Sequence, residues 1–213
     1  MTRISVIMPS LLKERVGGTK NPEKKFRRSV NSFLDANANY GESELVVISD
    51  GCSATNRILS VEYKKQLERG VIKLFKLPPR EDGSLFVGTT RQYGIAKASG
   101  IIVTNLDADD YFLPNHLKSI AEGFNPSVNE WGYFNCFRKL DNLKDVEELV
   151  VVEPELDKLF TTCVVWRRDL PVSWSNCDGL MDNKAFNTQL LKFNNRIKIY
   201  GAGYVIAHAN IAI

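Results

Sequence analysis

A chain of 213 residues with 44% hydrophobic and 25% charged side chains carries enough apolar material for one α/β domain with a full core, and is neither disordered nor fibrous in composition. Its formal charge of +3 is too small to point to nucleic acid as a partner. Cys52, Cys136, Cys163 and Cys177 show neither C-x-x-C pairing nor metal-ligand spacing, as expected of reduced cytosolic thiols. No apolar run reaches the ~18 residues of a membrane span, and the opening apolar stretch is too short for a signal peptide. A soluble, cytoplasmic protein, at most peripheral to a membrane, is expected.

Read from the N-terminus, residues 4–8 form a β-rich apolar run that ends at Pro9. A basic cluster follows, Lys13, Arg15, Lys20, Lys24, Lys25, Arg27 and Arg28, with Glu14 and Glu23 interspersed. A solvated helix face accounts for it better than a site for an anionic substrate. Residues 13–20, which contain Gly17-Gly18, read as a mobile loop. Asn21-Pro22 signals a helix start, and Phe26, Val30, Phe33 and Leu34 then follow a helical stripe. Further buried strands are expected at 45–49, 71–75 and 101–106, with weaker helical stretches at 58–67 and 90–98. After Leu113-Pro114, the residues Leu117, Ile120, Ala121 and Phe124 repeat the helical period. Strands alternating with helices imply right-handed crossovers and a mainly parallel sheet.

From about Gly132 the character changes. Strand-like runs at 132–137, 149–152, 161–166 and 203–208 surround one helix, 182–193, with Phe186, Leu190 and Phe193 on one face. This half reads as an appended mixed sheet that completes a second wall of a cleft. With no repeat or linker, residues 1–213 are expected to form one domain, divided near residue 125.

In open α/β sheets ligands bind beyond the carboxyl ends of the strands, where the strand order reverses. Asp50 stands at such an end, with Gly51 after it. Its carboxylate suits a base N–H or a ribose hydroxyl, although, taken alone, a plain Asp-Gly turn explains the pair better. Asp107, Asp109 and Asp110 follow the strand 101–106. Three carboxylates so close repel one another unless solvent or a cation compensates. In an extended stretch Asp107 and Asp109 point the same way, which suits one oxygen-seeking divalent cation shared with substrate phosphates. The plainer alternative is that one of the three, Asp110 for preference, merely caps the helix beginning near Pro114.

Four blocks in order resemble the family-two glycosyltransferases of the GT-A fold. Ile4-Ser-Val-Ile-Met-Pro9 is similar to that family's first strand ending in proline. Ser49-Asp50-Gly51-Cys52-Ser53 resembles its Asp-Asp-Gly-Ser turn, with Ser for the first Asp and Cys for the Ser. Thr90-Arg91-Gln92-Tyr93-Gly94, running on to Ala98-Ser99-Gly100, resembles its Ala-Arg-Asn-x-Gly helix. Asp107-Ala-Asp109-Asp110 with Leu113-Pro114 is similar to its metal motif. The blocks cover roughly the first 125 residues, which the resemblance makes a nucleotide-binding half, with 126–213 as an acceptor half.

The resemblance implies nucleotide-binding roles for Pro9, Asp50, Arg91 and Asp107, and metal ligation by Asp109 with Asp107. Asp182, where the family has Glu-Asp, would be the catalytic base, although a helix-start acid favoured by the dipole explains it as well. Asp178 is the next candidate. Tyr204-Val-Ile-Ala-His208 is similar to a late segment that supplies a further metal or phosphate contact, so His208 is a third candidate ligand, with a structural histidine the plainer reading. The implied cofactor is Mn2+ or Mg2+, and the implied partners are a nucleotide-sugar donor, UDP-linked for preference, and a hydroxyl on a glycan, lipid-linked sugar or protein. The reaction would be one inverting displacement. Two rival functions are a sugar-phosphate nucleotidyltransferase and a non-catalytic nucleotide- or sugar-binding module. The first is disfavoured because Pro9 to Arg15 lacks that class's glycine-rich loop.

Overall fold

The computed structural model describes residues 3–13, 20–79, 87–139, 147–156, 158–174 and 182–207, with the side chains of Lys139, Glu147, Glu148 and Asp182 left out of the description. The chain opens with strand β1 (Ile4–Ser10), helix α1 (Pro22–Ala38) and strand β2 (Ser43–Asp50). Helices α2 (Ser53–Glu62) and α3 (Lys64–Glu68) lead to β3 (Ile72–Leu77), and α4 (Val87–Lys97) leads to β4 (Ile102–Asn105). Then come β5 (Tyr111–Phe112), α5 (His116–Gly123), β6 (Trp131–Tyr133), β7 (Cys136–Lys139) and β8 (Glu147–Val150). A 3-10 turn at Thr161–Cys163 runs into β9 (Val164–Arg167). Helix α6 (Asp182–Leu190) and strands β10 (Arg196–Lys198) and β11 (Tyr204–Ile206) follow.

The larger sheet has seven strands in the order β10-β6-β9-β4-β1-β2-β3. β9 runs antiparallel to both its neighbours, and every other adjacent pair is parallel. The α/β expectation holds. The chain steps from β1 out to β3 and returns to place β4 on the other side of β1, so the strand order reverses between β1 and β4. β2 is buried along its whole length, as in a parallel sheet covered on both faces. Helix α4 lies on β1 and β2. It approaches closely because Gly94 has no side chain, a Cβ there lying 2.7 Å from Ile7 Cγ2.

The second half departs from the expected plan. β6, β9 and β10 extend the large sheet, and only β7, β8 and β11, with β5 from the first half, form a separate sheet in the order β5-β11-β7-β8. The expected strand 132–137 is two strands in different sheets, parted at Phe134 and Asn135. Phe134 N–H donates to Cys163 O at 3.1 Å, and Asn135 Oδ1 accepts from Val152 N at 3.1 Å. The first bond continues the register of β6 on β9 and the second is made by a side chain, so the chain leaves one sheet for the other between them, which an apolar run cannot reveal. The stretch 58–67 breaks at Tyr63, where φ is −118°. The buried Tyr63 hydroxyl donates to Asn31 Oδ1 at 2.9 Å. Residues 161–163 form the 3-10 turn rather than strand. Cys52, Cys136 and Cys163 are free and buried; Cys177 and the loop 14–19 lie outside the described residues.

A buried carboxylate holds the end of the sheet away from the cleft. Glu44 Oε1 accepts from Ser5 Oγ and Ser99 N, each at 2.6 Å, and Lys73 Nζ lies 2.5 Å from Oε2. Burial pushes the carboxyl up, but the Lys73, Ser5 and Ser99 bonds outweigh it and leave its pKa lowered. The turn that ends α4 is thereby fastened to β1 and β2.

His116 opens α5 fully buried, its ring stacked on Phe112 at 3.9 Å and edge-on to Phe134 at 4.9 Å. Burial pushes its pKa down to about 3, opposed only by the Gly203 backbone. Below the unfolded value of 6.5 the unfolded chain binds a proton that the folded one refuses, so stability falls as pH drops through that window. Glu44, whose pKa is also lowered, begins to act only below its ordinary value of 4.5. His116→Phe should therefore remove about 2–3 kcal/mol of stability loss between pH 6.5 and 4.5. Urea titrations of both proteins across that range check it; parallel pH profiles would contradict it.

Candidate active site

The site is built from the chain at the carboxyl ends of β1, β2 and β4. Asp50 ends β2 and is only 5% exposed. Gly51 turns the chain at φ +62°, where a Cβ would lie 2.4 Å from Pro79 Cα, so no other residue fits. The departures from the family turn are accommodated by hydrogen bonds. Ser49 Oγ donates to Cys52 O at 3.0 Å, and Cys52 Sγ accepts from Leu12 N at 3.3 Å. Asp50 Oδ2 accepts from Thr90 Oγ1 on α4 at 3.5 Å. Pro9 lies within β1 opposite Ile48, half-buried.

The next residue on α4 is Arg91, 4% exposed. Its Nη2 donates to Asp107 Oδ1 at 2.6 Å, joining the helix to the acidic segment after β4. Its guanidinium carbon stands 4.7 Å above the Trp174 ring. Thus Asp50, Thr90, Arg91 and Asp107 form one continuous line of side chains across the switch point.

The acidic segment is a turn, not the extended stretch expected. Asp110 N–H donates to Asp107 O at 3.1 Å. Four groups from distant parts of the chain hold this turn. Ser29 Oγ donates to Asp107 O at 3.0 Å, and Arg28 Nη2 donates to Asp109 O while its guanidinium lies over Tyr111. Asp107 N–H donates to the Tyr204 hydroxyl at 3.1 Å, and that hydroxyl donates to Asp110 Oδ2 at 2.8 Å. Ala207 N–H donates to Asp110 Oδ1 at 2.9 Å, and Ala207 O accepts from Lys25 Nζ at 3.3 Å.

Asp110 is therefore no helix cap. It is 2% exposed and ties the turn to the end of β11, while α5 starts six residues on with no side-chain cap. Burial first, then the charges of Asp107 and Asp109, raise its pKa well above the carboxylate range. Burial also raises Tyr204, with the Asp110 and Asp107 charges adding to it. The basic cluster divides: Arg27 makes ion pairs with Glu62 at 2.8 Å and Glu23 at 3.4 Å, as a solvated face does, whereas Arg28 grips the acidic turn and Lys25 holds the Ala207 carbonyl beside it.

Asp107 keeps 30% of its side chain exposed. Among the described residues no group of three or more His, Cys, Asp or Glu is placed to hold a metal ion. The donor chemistry still fits a hard cation: Asp107 and Asp109 offer carboxylate oxygens beside a third carboxyl whose pKa their charges already raise, and such a cation takes one or two carboxylates plus phosphate oxygens. Asp182 begins α6, but its side chain, Asp178 and His208 all lie outside the described residues. The start of α6 is linked to the end of β4. Asn105 Nδ2 donates to Thr161 O at 3.0 Å, and Thr161 Oγ1 donates to Asn183 Oδ1 at 2.8 Å. Neither Ser29, Asn105 nor Thr161 carries any sequence signal of this role. Arg28 and Tyr204 lie in stretches whose composition draws notice, without showing what each side chain holds.

The fold is the GT-A fold. The Staphylococcus aureus TarS fragment 1–349 in complex with UDP superimposes with a TM-score of 0.67 at 20% identity, over 97% of this chain and 60% of that one. The same fragment with UDP-GlcNAc gives 0.65 at 22%, over 97% and 58%. The mannosyltransferase PcManGT of Pyrobaculum calidifontis, in complex with GDP-Man and Mn2+, gives 0.63 at 12%, over 96% and 56%. The glycosyl transferase family 2 pattern matches residues 5–127, more than half of the sequence, and the chain belongs to that family. An uncharacterized glycosyltransferase of Nostoc sp. (strain PCC 7120) is 27% identical over 107 residues, which are 50% of this chain and 31% of that one. The chain thus spans about a third of that curated relative.

Removing the Tyr204 hydroxyl leaves a buried acceptor on Asp110 and the Asp107 N–H without their partner. Tyr204→Phe should lower the unfolding free energy by about 1–3 kcal/mol. Denaturant titration measures it, and an unchanged midpoint with an unchanged slope would mean that the hydroxyl does not hold the turn.

Proposed function

We propose that this chain transfers a sugar from a nucleoside diphosphate donor, UDP-linked, to an acceptor hydroxyl, with inversion, acting in the cytoplasm as one catalytic domain. The observation that carries this reading is the Asp107–Asp110 turn beyond β4 with Arg91 paired on Asp107, inside a family 2 fold. Structures of similar fold hold UDP, UDP-GlcNAc, or GDP-Man with Mn2+, which supports the donor class. No helix among the described residues is long and apolar enough to cross a membrane.

In this reading the base and ribose lie by Pro9 and Asp50, and the diphosphate lies by Arg91 and the acidic turn. Asp109 and Asp107, with His208 as a third group, would hold Mn2+ or Mg2+. When bound, that cation supplies the positive charge that stabilises a departing nucleoside diphosphate. Asp182 takes the proton of the acceptor hydroxyl as its oxygen bonds to the anomeric carbon. The bond from that carbon to the diphosphate oxygen breaks with the electron pair leaving on the phosphate, and the configuration inverts. The helix dipole at the start of α6 favours the ionised carboxylate that a base needs. The Asn105–Thr161–Asn183 link supports a fixed spacing between this helix end and the acidic turn.

Two measurements test the reading. Calorimetry should find UDP bound more tightly with Mn2+ than with a chelator, and Asp109→Ala should abolish the difference; equal affinity in both conditions would remove the metal assignment. With UDP-GlcNAc and Mn2+ the chain should release UDP, water serving as acceptor. Asp182→Asn should keep UDP affinity within a few-fold and slow release by at least ~100-fold. Pyrophosphate release would instead indicate a nucleotidyltransferase, and binding without turnover a non-catalytic module.

A further inference from the structure

The segment between β9 and α6 carries a tryptophan, Trp174, that the proposed chemistry does not use. Trp174 is fully buried and makes two stacking contacts, one to each side of the site. Its indole lies under the Arg91 guanidinium at 4.7 Å, on the diphosphate side. It also stacks on Phe186 of α6, with ring centroids 4.1 Å apart and planes 11° from parallel. Phe186 in turn meets the edge of Trp166 on β9 at 5.2 Å.

The backbone around the indole is gripped from the same two sides. Trp174 N–H donates to Gln92 Oε1 on α4 at 3.0 Å. Ser173 N–H donates to Gln189 Oε1 on α6 at 2.9 Å, and Gln189 Nε2 returns a bond to Ser173 O at 2.8 Å. Residues 173 and 174 therefore span the gap between the helix that carries Arg91 and the helix that begins with Asp182.

The energetics favour a role for the ring face. A desolvated guanidinium over an indole gains ~2 kcal/mol or more, and tryptophan is the best of the aromatic partners. Arg91 needs such a contact: it is 4% exposed, one of its nitrogens is committed to Asp107, and its Nε is buried with no hydrogen-bond partner among the described residues. Trp174 Nε1 is likewise buried without a partner among them. A buried unpaired N–H is a cost of about 1–3 kcal/mol, so the hydrogen-bonding end of the indole works against its placement and the flat face works for it.

We propose that Trp174 is a positioning residue, which sets Arg91 and helix α6 at a fixed separation through stacking on both. The proposal rests on the transferase reading above, in which Arg91 meets the diphosphate and α6 brings the base. Misplacing one side of such a site by about 1 Å costs up to ~100-fold in rate without removing any reacting group.

The test uses UDP release from UDP-GlcNAc with Mn2+, after each variant has been shown folded by a cooperative melt. Trp174→Leu removes the stacking plate, and Trp174→Phe keeps an aromatic face without the Nε1 group. Gln189→Ala, at a half-buried position, frees residue 173 from α6 without opening a core cavity. In Trp174→Leu and Gln189→Ala, kcat should fall at least ~10-fold while KM for UDP-GlcNAc changes less than ~3-fold, and Trp174→Phe should recover most of the loss. A merely structural role would lower the melting temperature and leave kcat of the folded protein unchanged, which overturns the proposal. So does a Trp174→Phe variant as slow as Trp174→Leu, which would assign the effect to Nε1. A wild-type chain that neither binds UDP nor releases it overturns the transferase reading and this role together, and that result is read from the wild-type arm alone.

Discussion

Between Asp107 and Asp110 three carboxylates crowd one turn, and like charges at that spacing cannot stay together without donors aimed at them. The chain meets this constraint with groups drawn from both its ends. Ser29 and Arg28 take the backbone oxygens of Asp107 and Asp109; Tyr204 and Ala207 take the two oxygens of Asp110. With Asp110 satisfied inward, Asp107 is left partly exposed beyond the end of β4. β11 pairs with β5, and α1 lies against β5, where Ser32 Oγ accepts from Phe112 N–H at 3.1 Å.

This turn also explains why the two sheets are organised as they are. β5, directly after it, pairs with β11 rather than with the large sheet. β9 enters the large sheet antiparallel beside β4, which sets the 3-10 turn at 161–163 next to Asn105. From there Thr161 reaches Asn183, so helix α6 is referenced to the strand that carries the acids. Trp174 supplies a second reference, from α6 to α4. Two links of different chemistry, one hydrogen-bonded and one stacked, connect the same two sides.

Much of the first half was legible in the sequence because its signals are local. Apolar runs marked β1, β2 and β4, and Phe26, Val30 and Phe33 marked the buried face of α1. Asp50 and Asp107 stood out by lying just past strand ends. What could not be read were long-range commitments. Nothing near Asp110 indicates that its partners are Tyr204 and Ala207, so it passed for a helix cap. Nothing in 132–137 shows that Phe134 bonds to Cys163, so two strands passed for one. Arg28 looked like one more charge on a wet helix face because its partner, Asp109 O, lies 81 residues away.

The bond from Ala207 to Asp110 crosses 97 residues. During synthesis the segment that bears the family pattern, residues 5–127, leaves the ribosome before the partners that complete its acidic turn exist. Contacts of such separation form late, because loop closure must precede them. The nascent first half already holds Arg28, Ser29 and Arg91 for Asp107 and Asp109, but the Asp110 carboxyl has neither Tyr204 nor Ala207 until β11 arrives. The shaping of the acidic turn is thus coupled to the arrival of residues 204–207, and a fragment cut at the limit of the recognisable pattern would lack the two groups that bind the Asp110 carboxyl.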